Sequence, residues 1–436
     1  MIRKTYDFVL GNAFLRSSAI VFGSNLLVGV CNYALVIFAA RALGVEYSVW
    51  TALTGLFAIL TTFNTGLYTE VNKKFAAYAK QAPEKALLFY DFLMVRARRL
   101  LIAGIVLSPL LAAVLWGVTR ITDYPLYIFI VWSLFLGIFA GMNRFLLIGM
   151  LYNLKFGVVT LANGLTRLGT TLLFFELGLR IWALPLGLIA SQVITYLVAV
   201  WYINHVKQNV TRKNPDWSRS EYKFALRPHL IASVKSTAIL FCLASFLNVA
   251  PILSERFLSV EDKDLFAVLF NFGQIIHFGS TAFTQAIIVH ASRSTGNHIY
   301  YFSIGLMTLL TSLIGGLFYF FGDFMLSLFG KSQYVDSLNL ILYYSLFIVF
   351  FNIVFISTQY LLSHSRYRVL STLPVFCAVL IGTSYFAAQS ENALTSFITA
   401  QIVTGGVIAF VYAGYILLAG SEGKNSKISD QLDKRN

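Results

Sequence analysis

The stretch SSAIVFGSNLLVGVCNYALVIFAA, residues Ser17–Ala40, decides the fold class. It contains no Asp, Glu, Lys or Arg. As a helix at about 1.5 Å per residue it reaches about 36 Å, enough to cross the ~30 Å hydrocarbon layer of a bilayer. The apolar core of a secretory leader is shorter, about 7–15 residues, so the run reads as a retained helix.

Runs of the same kind recur outward from it, at 47–69, 100–118, 124–149, 156–178, 182–203, 230–252, 265–290, 299–321, 338–362, 369–389 and 396–418. They lack the alternation of barrel strands. Backbone groups in lipid must be bonded within their own segment, so the runs are expected to be helices. Hydrophobic residues make up 58% of the chain and charged ones 12%, against about 25% charged in soluble domains. The expectation is an all-α integral membrane protein with about twelve transmembrane helices.

The net charge of +14 is explained by topology. With the N-terminus in the cytoplasm, the inner segments hold 24 of the 33 Lys and Arg and the outer loops 6. Cytoplasmic loops collect basic residues, so both termini are placed inside, and the charge calls for no nucleic-acid partner. Two long basic connections, Glu70–Arg99 and Asn204–Pro228, stand out. The second divides the chain into six spans and six: a first lobe over 1–204, a linker over 205–228, a second lobe over 229–419 and a tail over 420–436.

The two halves resemble each other. Arg16-Ser-Ser-Ala-Ile-Val-Phe22 matches Lys235-Ser-Thr-Ala-Ile-Leu-Phe241. Arg41-Ala-Leu-Gly-Val-Glu46 matches Arg256-Phe-Leu-Ser-Val-Glu261, and Arg144-Phe-Leu-Leu147 with Tyr152 matches Gln359-Tyr-Leu-Leu362 with Tyr367. The offsets are 219, 215 and 215. Copies of six spans run in the same direction, and duplicated halves of this kind are typical of transporters with a site between them.

Charge inside a span is costly and usually faces a cavity. The bases there are Arg144, Arg167 and Lys235, with Arg16 at the inner mouth of span 1; the one acid is Glu176, near an outer end. A cavity lined by bases suits an anion, phosphate above all. Arg16 and Lys235 are the same position in the two halves and are expected to face each other; snorkelling to headgroups is the other reading of both. Arg144 is open to a cavity role, to snorkelling or to a role at its helix end. Arg167 is mid-span and cannot easily snorkel. Asn25, Gly29 and Asn32 share a face of span 1, either for helix packing or for hydrogen bonds to a sugar. Gln274 and His277 share a face of span 8, where a structural bridge is the favoured role. Cys31, Cys242 and Cys377 lie in apolar runs without metal spacing or a disulfide pattern. No phosphate-binding Walker loop, metal cluster or cofactor motif is visible. The outer loops are too short to carry an enzyme's catalytic residues, and a non-enzymatic function is expected.

Ser17–Phe22, then Ala39-Ala-Arg-Ala-Leu-Gly44, then Gly66-Leu67 running into Lys73-Lys74-Phe-Ala76, resembles the opening of polysaccharide-biosynthesis flippases. These are the O-antigen-type lipid-linked oligosaccharide flippases of the multidrug/oligosaccharidyl-lipid/polysaccharide superfamily. The motifs cover mainly the first eighty residues; length and span number fit across the chain. The resemblance implies two six-helix lobes forming a V around a central cavity, and alternating access. It also implies a polyprenyl-pyrophosphate-linked oligosaccharide carried across a bacterial inner membrane. Basic cavity residues are expected for such a cargo, and Arg16, Arg144, Arg167 and Lys235 are candidates by type and place, with Asn25 and Asn32 beside them. Membrane lipids, a proton or sodium ion and a polysaccharide polymerase are the partners this function would bring. The rival is a cation-coupled drug-extrusion antiporter of the same superfamily. Such antiporters typically hold a buried acid, and span 1 contains none.

Overall fold

The computed structural model describes residues 13–213, 227–291, 298–363 and 366–433. Their side chains are described except at 13–19, 22, 69–70, 73, 211–213, 227–233, 279–291, 298–299, 363 and 419–433. The described residues are predominantly helical, with no strand among them. The chain forms two compact units, Met1–Phe241 and Cys242–Asn436.

The first unit contains α1 (Ala13–Leu43), α2 (Tyr47–Gln81), α3 (Pro83–Thr119), α4 (Tyr124–Gly149), α5 (Asn153–Glu176) and α6 (Ala183–Lys213). Then follow α7 (Arg227–Asn248), in which the boundary falls, α8 (Ala250–Phe257), α9 (Val260–Ala291), α10 (His298–Phe320) and α11 (Gly322–Leu328). The last elements are α12 (Asn339–Ser363), α13 (Tyr367–Leu370), α14 (Leu373–Ala387) and α15 (Ala393–Asp433).

Nine helices among the described residues are long and apolar enough to cross a membrane, or ten with one bent pair. The first of these, Gly23–Tyr68, has 46 residues, about 69 Å, which is twice the thickness to be crossed. It is interrupted by a 3-10 turn, Gly44–Glu46, where Gly44 takes φ +57, a left-handed value that a side chain would strain. It therefore counts as two crossings. With α9, 32 residues long, the helices of crossing length reach the twelve read from the sequence.

The breaks repeat between the units. Arg41–Glu46 spans the α1–α2 junction and Arg256–Glu261 the α8–α9 junction. After α4 the Tyr152 amide bonds the Leu147 carbonyl at 2.8 Å, and after α12 the Arg366 amide bonds the Leu361 carbonyl at 2.9 Å. Tyr152 has φ −81, ψ 56 and Arg366 φ −82, ψ 55. The structural equivalence thus pairs Tyr152 with Arg366, one residue away from the tyrosine-to-tyrosine match suggested by sequence.

The seventh span differs from the single helix expected over 230–252. It breaks between Asn248 and Ala250 and bends by 44°. Pro251 has no N–H to give the carbonyl four residues back. Beside the break, the Asn248 amide donates to the Ala244 carbonyl at 2.9 Å and accepts from Gln274 Nε2 at 3.2 Å. Pro109 in α3 is handled similarly. It strands the Ile105 carbonyl, which the Ser108 hydroxyl takes at 2.7 Å while accepting the Trp132 indole N–H at 2.8 Å.

The long helices of the first unit share a core at one end, formed by Phe75 and Tyr68 of α2, Leu87, Phe89 and Leu93 of α3, Leu146 of α4 and Val206 of α6. Lys207 and Asp91 close its rim at 2.6 Å. In the second unit Lys331 is buried with both oxygens of Asp264, at 2.8 and 2.7 Å, and Tyr334 donates to the same carboxylate at 2.8 Å. His277 bonds Asn352 at 2.6 Å, and Asn352 donates to Thr311 at 2.9 Å, so His277 is a structural bridge between α9 and α12.

Candidate anion-binding site

The centre of the first unit is built on the α1–α5 contact. These helices approach closely because α5 presents glycine there: a Cβ on Gly164 would lie 2.8 Å from Val28, and one on Gly157 3.2 Å from Ile20. One turn beyond Gly164 on α5 comes Arg167. Its Nη1 donates to Asn32 Oδ1 on α1 at 3.2 Å. Its Nε is buried and has no hydrogen-bond partner. No carboxylate pairs with Arg167 among the described residues. A guanidinium in this position keeps its charge and most of its N–H fork uncommitted, in a geometry that matches two oxygens of a phosphate.

The α5–α6 register extends the site. Asn163 Nδ2 donates to Thr195 Oγ1 at 2.9 Å, and the Thr171 hydroxyl lies against Gly187. In that antiparallel register Arg167 is level with Ser191 and Gln192. Gln192 and Asn64 of α2 both approach Gly137 of α4: a Cβ on that glycine would lie 3.2 Å from Asn64 Nδ2 and 3.7 Å from Gln192 Nε2. The carbonyl oxygens of both amides are buried without partners. The interior of this unit therefore offers one charged fork and several amide groups with unused hydrogen-bonding capacity.

Arg144 occupies a second position, on α4 beside Tyr68. The Tyr68 hydroxyl bonds the Gly137 and Ile138 carbonyls at 2.9 and 2.6 Å, and its ring fills the space where a Gly141 side chain would be. The Nε of Arg144 is also buried without a partner.

The other expected residues are more dispersed. Asn25 is half-buried on α1, two turns from Asn32 on the same face. Lys235 is exposed near the start of α7, two residues before Thr237 meets Gly66 of α2. The side chain of Arg16 lies outside the described residues, so its expected pairing with Lys235 does too. Glu176 is exposed at the end of α5. Asn64, Asn163 and Gln192 were not singled out from the sequence. Thr160, Asn163, Arg167 and Thr171 recur at three- and four-residue spacing along α5, a polar stripe within an apolar helix that signals this interior face.

No protein-family model and no curated protein matches the sequence. Solved structures do match in shape. An inward-facing multidrug-resistance MATE transporter of the MOP superfamily aligns with a TM-score of 0.72 at 11% identity, over 94% of this chain and 96% of that one. An outward-facing one gives 0.68 at 12% identity, over 95% and 96%. A MOP transporter from Pyrococcus furiosus, for which a binding pocket of reverse polarity suggests a different function, gives 0.66 at 13% identity, over 94% and 95%. The chain has the fold of the MOP-superfamily transporters.

Proposed function

We propose that the protein is an alternating-access flippase for an anionic lipid-linked oligosaccharide, with a polyprenyl pyrophosphate as its charged anchor. The observation that carries this reading is Arg167, a half-buried arginine whose Nε is buried without a partner, which bonds one neutral amide and has no acid beside it among the described residues. Its free N–H groups suit pyrophosphate oxygens, and the surrounding amides suit sugar hydroxyls. In this reading Arg144 supplies a second charge for the same cargo, and Lys235 and Arg16 receive it at the membrane face. The Pyrococcus furiosus protein is a precedent within the fold for a changed pocket polarity going with a changed function.

A cation-extruding antiporter would need an acid in the interior. In the first unit the described acids are paired with a base or lie near helix ends, as Glu46 with Arg180 at 3.1 Å, Asp91 with Lys207, and Glu176 at the end of α5. The decisive experiment is flipping of a short-chain polyprenyl-pyrophosphate oligosaccharide in proteoliposomes. Wild-type protein is expected to expose the glycan on the opposite leaflet, and Arg167→Ala to lose at least tenfold in rate at equal insertion. Unchanged flipping in Arg167→Ala, or transport of a cationic dye in place of the lipid, would overturn the reading.

A further inference from the structure

Helix α3 is held by a narrow seam. Its buried positions in the apolar part are Gly104, Ser108, Ala112 and Thr119, all small, with the Phe135 ring of α4 against Gly104. The opposite face is open: Val95 is 54% exposed, Ile102 56%, Val106 70% and Leu110 64%. These residues follow one another at seven- and four-residue spacings and form one stripe along the helix. In a bilayer such a stripe meets acyl chains.

Three arginines stand where the stripe begins. Arg96 is engaged within its own helix, with Nη1 bonded to the Phe92 carbonyl at 2.8 Å and the guanidinium 3.4 Å from the Phe92 ring centre. Neighbouring cations at this end also have partners: Lys85 bonds Gln81 at 2.7 Å and Lys207 bonds Asp91 at 2.6 Å. Arg98 and Arg99 are exposed, and no ion pair joins them to a described residue. Arg99 lies in line with Val95, Ile102, Val106 and Leu110.

We propose that this outer face of α3 is a binding site for one resident anionic glycerophospholipid. Its phosphate sits in the forks of Arg98 and Arg99 and its acyl chains lie along Ile102, Val106 and Leu110. The charges are complementary, and guanidinium pairs bind phosphate bidentately. The charge count of the loops puts this end of α3 in the cytoplasmic leaflet, where anionic lipid is available. The stripe that continues from the pair is apolar, so the site reads a phosphate with two acyl chains. This distinguishes it from the cargo site around Arg167 and makes the proposal independent of that reading.

The test is native mass spectrometry of the purified protein titrated with phosphatidylglycerol or phosphatidylcholine. One phosphatidylglycerol is expected to be retained in preference to phosphatidylcholine. R98Q/R99Q should weaken its retention roughly thirty-fold, since each base near an anionic surface contributes about 1 kcal/mol and about 1.4 kcal/mol is a factor of ten. R98K/R99K should lose only part of that, and R96Q nothing. Inorganic phosphate, exchanged for acetate at constant ionic strength, should fail to displace the lipid. Should R98Q/R99Q not insert, raising the ionic strength on wild-type protein reads the same contact: phosphatidylglycerol should be shed and phosphatidylcholine not. Equal retention of both lipids by the wild type, undiminished phosphatidylglycerol binding by R98Q/R99Q, or displacement by free phosphate each overturns the proposal.

Discussion

Replacing Arg167 by Met should make the protein slightly more stable and nearly inactive. Methionine fills much of the same volume without charge. An arginine at the centre of a membrane helix costs about 2.5–3.5 kcal/mol on insertion scales. Against this stands the bond to Asn32, for which a charged hydrogen bond in good geometry gives about 1.5–3 kcal/mol. At 3.2 Å this bond is long, which places it in the lower half of that range. The buried Nε makes no bond that the variant could lose. The balance favours Arg167→Met by about 1 kcal/mol, or about 1–2 °C in melting temperature for a chain of this length. Intrinsic fluorescence of the six tryptophans during heating in detergent gives the melting temperature, and the proteoliposome assay gives the rate. A residue kept at a cost to stability is expected where function requires it. A fall of more than about 5 °C would refute the reasoning, because Arg167 would then be holding the fold together through a partner worth more than its burial costs.

Three further outcomes follow from contacts away from Arg167. Ser108→Ala strands both the Ile105 carbonyl and the Trp132 indole and should cost about 1–3 kcal/mol; adding Pro109→Ala restores a backbone N–H for the carbonyl and should recover part of the lost melting temperature. Lys331→Met leaves the Asp264 carboxylate buried without its cation and should cost about 3–5 kcal/mol, whereas K331M/D264N should unfold at a higher temperature than K331M alone. Burial, and then the Asp264 carboxylate, raise the ionisation of Tyr334 above the usual phenol range. The folded protein therefore holds that proton more tightly than the unfolded chain, so this contribution to stability is full below a pH of about 10 and is lost as the pH rises towards the raised value. The alkaline fall in melting temperature should be shallower in Tyr334→Phe than in the wild type.

The helical fold was legible because lipid leaves the backbone few options, and runs such as Ser17–Ala40 declare themselves by length alone. The junctions were legible where they carry charge, as at Arg41–Glu46 and Arg256–Glu261, since both units break there. The break at Asn248–Ala250 was not read, although Pro251 is its signal, because apolar residues continue across it and mask the change of direction. Arg167 and Asn32 were each singled out, but nothing in one sequence says that α1 and α5 are neighbours, so their bond could not be read. Asn64 and Gln192 were missed for a different reason. Isolated amides in apolar helices are common at helix contacts, and only the convergence of three helices on Gly137 sets these two apart.

The narrow seam of α3 has a consequence for how the gene can drift. Around the seam the apolar part of the helix presents an exposed face, Ile102, Val106 and Leu110 among it, and on a face turned to lipid one greasy side chain serves as well as another. At Gly104 any added carbon would be driven into the Phe135 ring, and at Ser108 the hydroxyl serves two neighbours at once. A saturation scan of α3 should therefore return long permissive stretches crossed by intolerant positions at Gly104, Ser108 and Ala112. The spacing of four residues between them would trace the seam without any structure at hand.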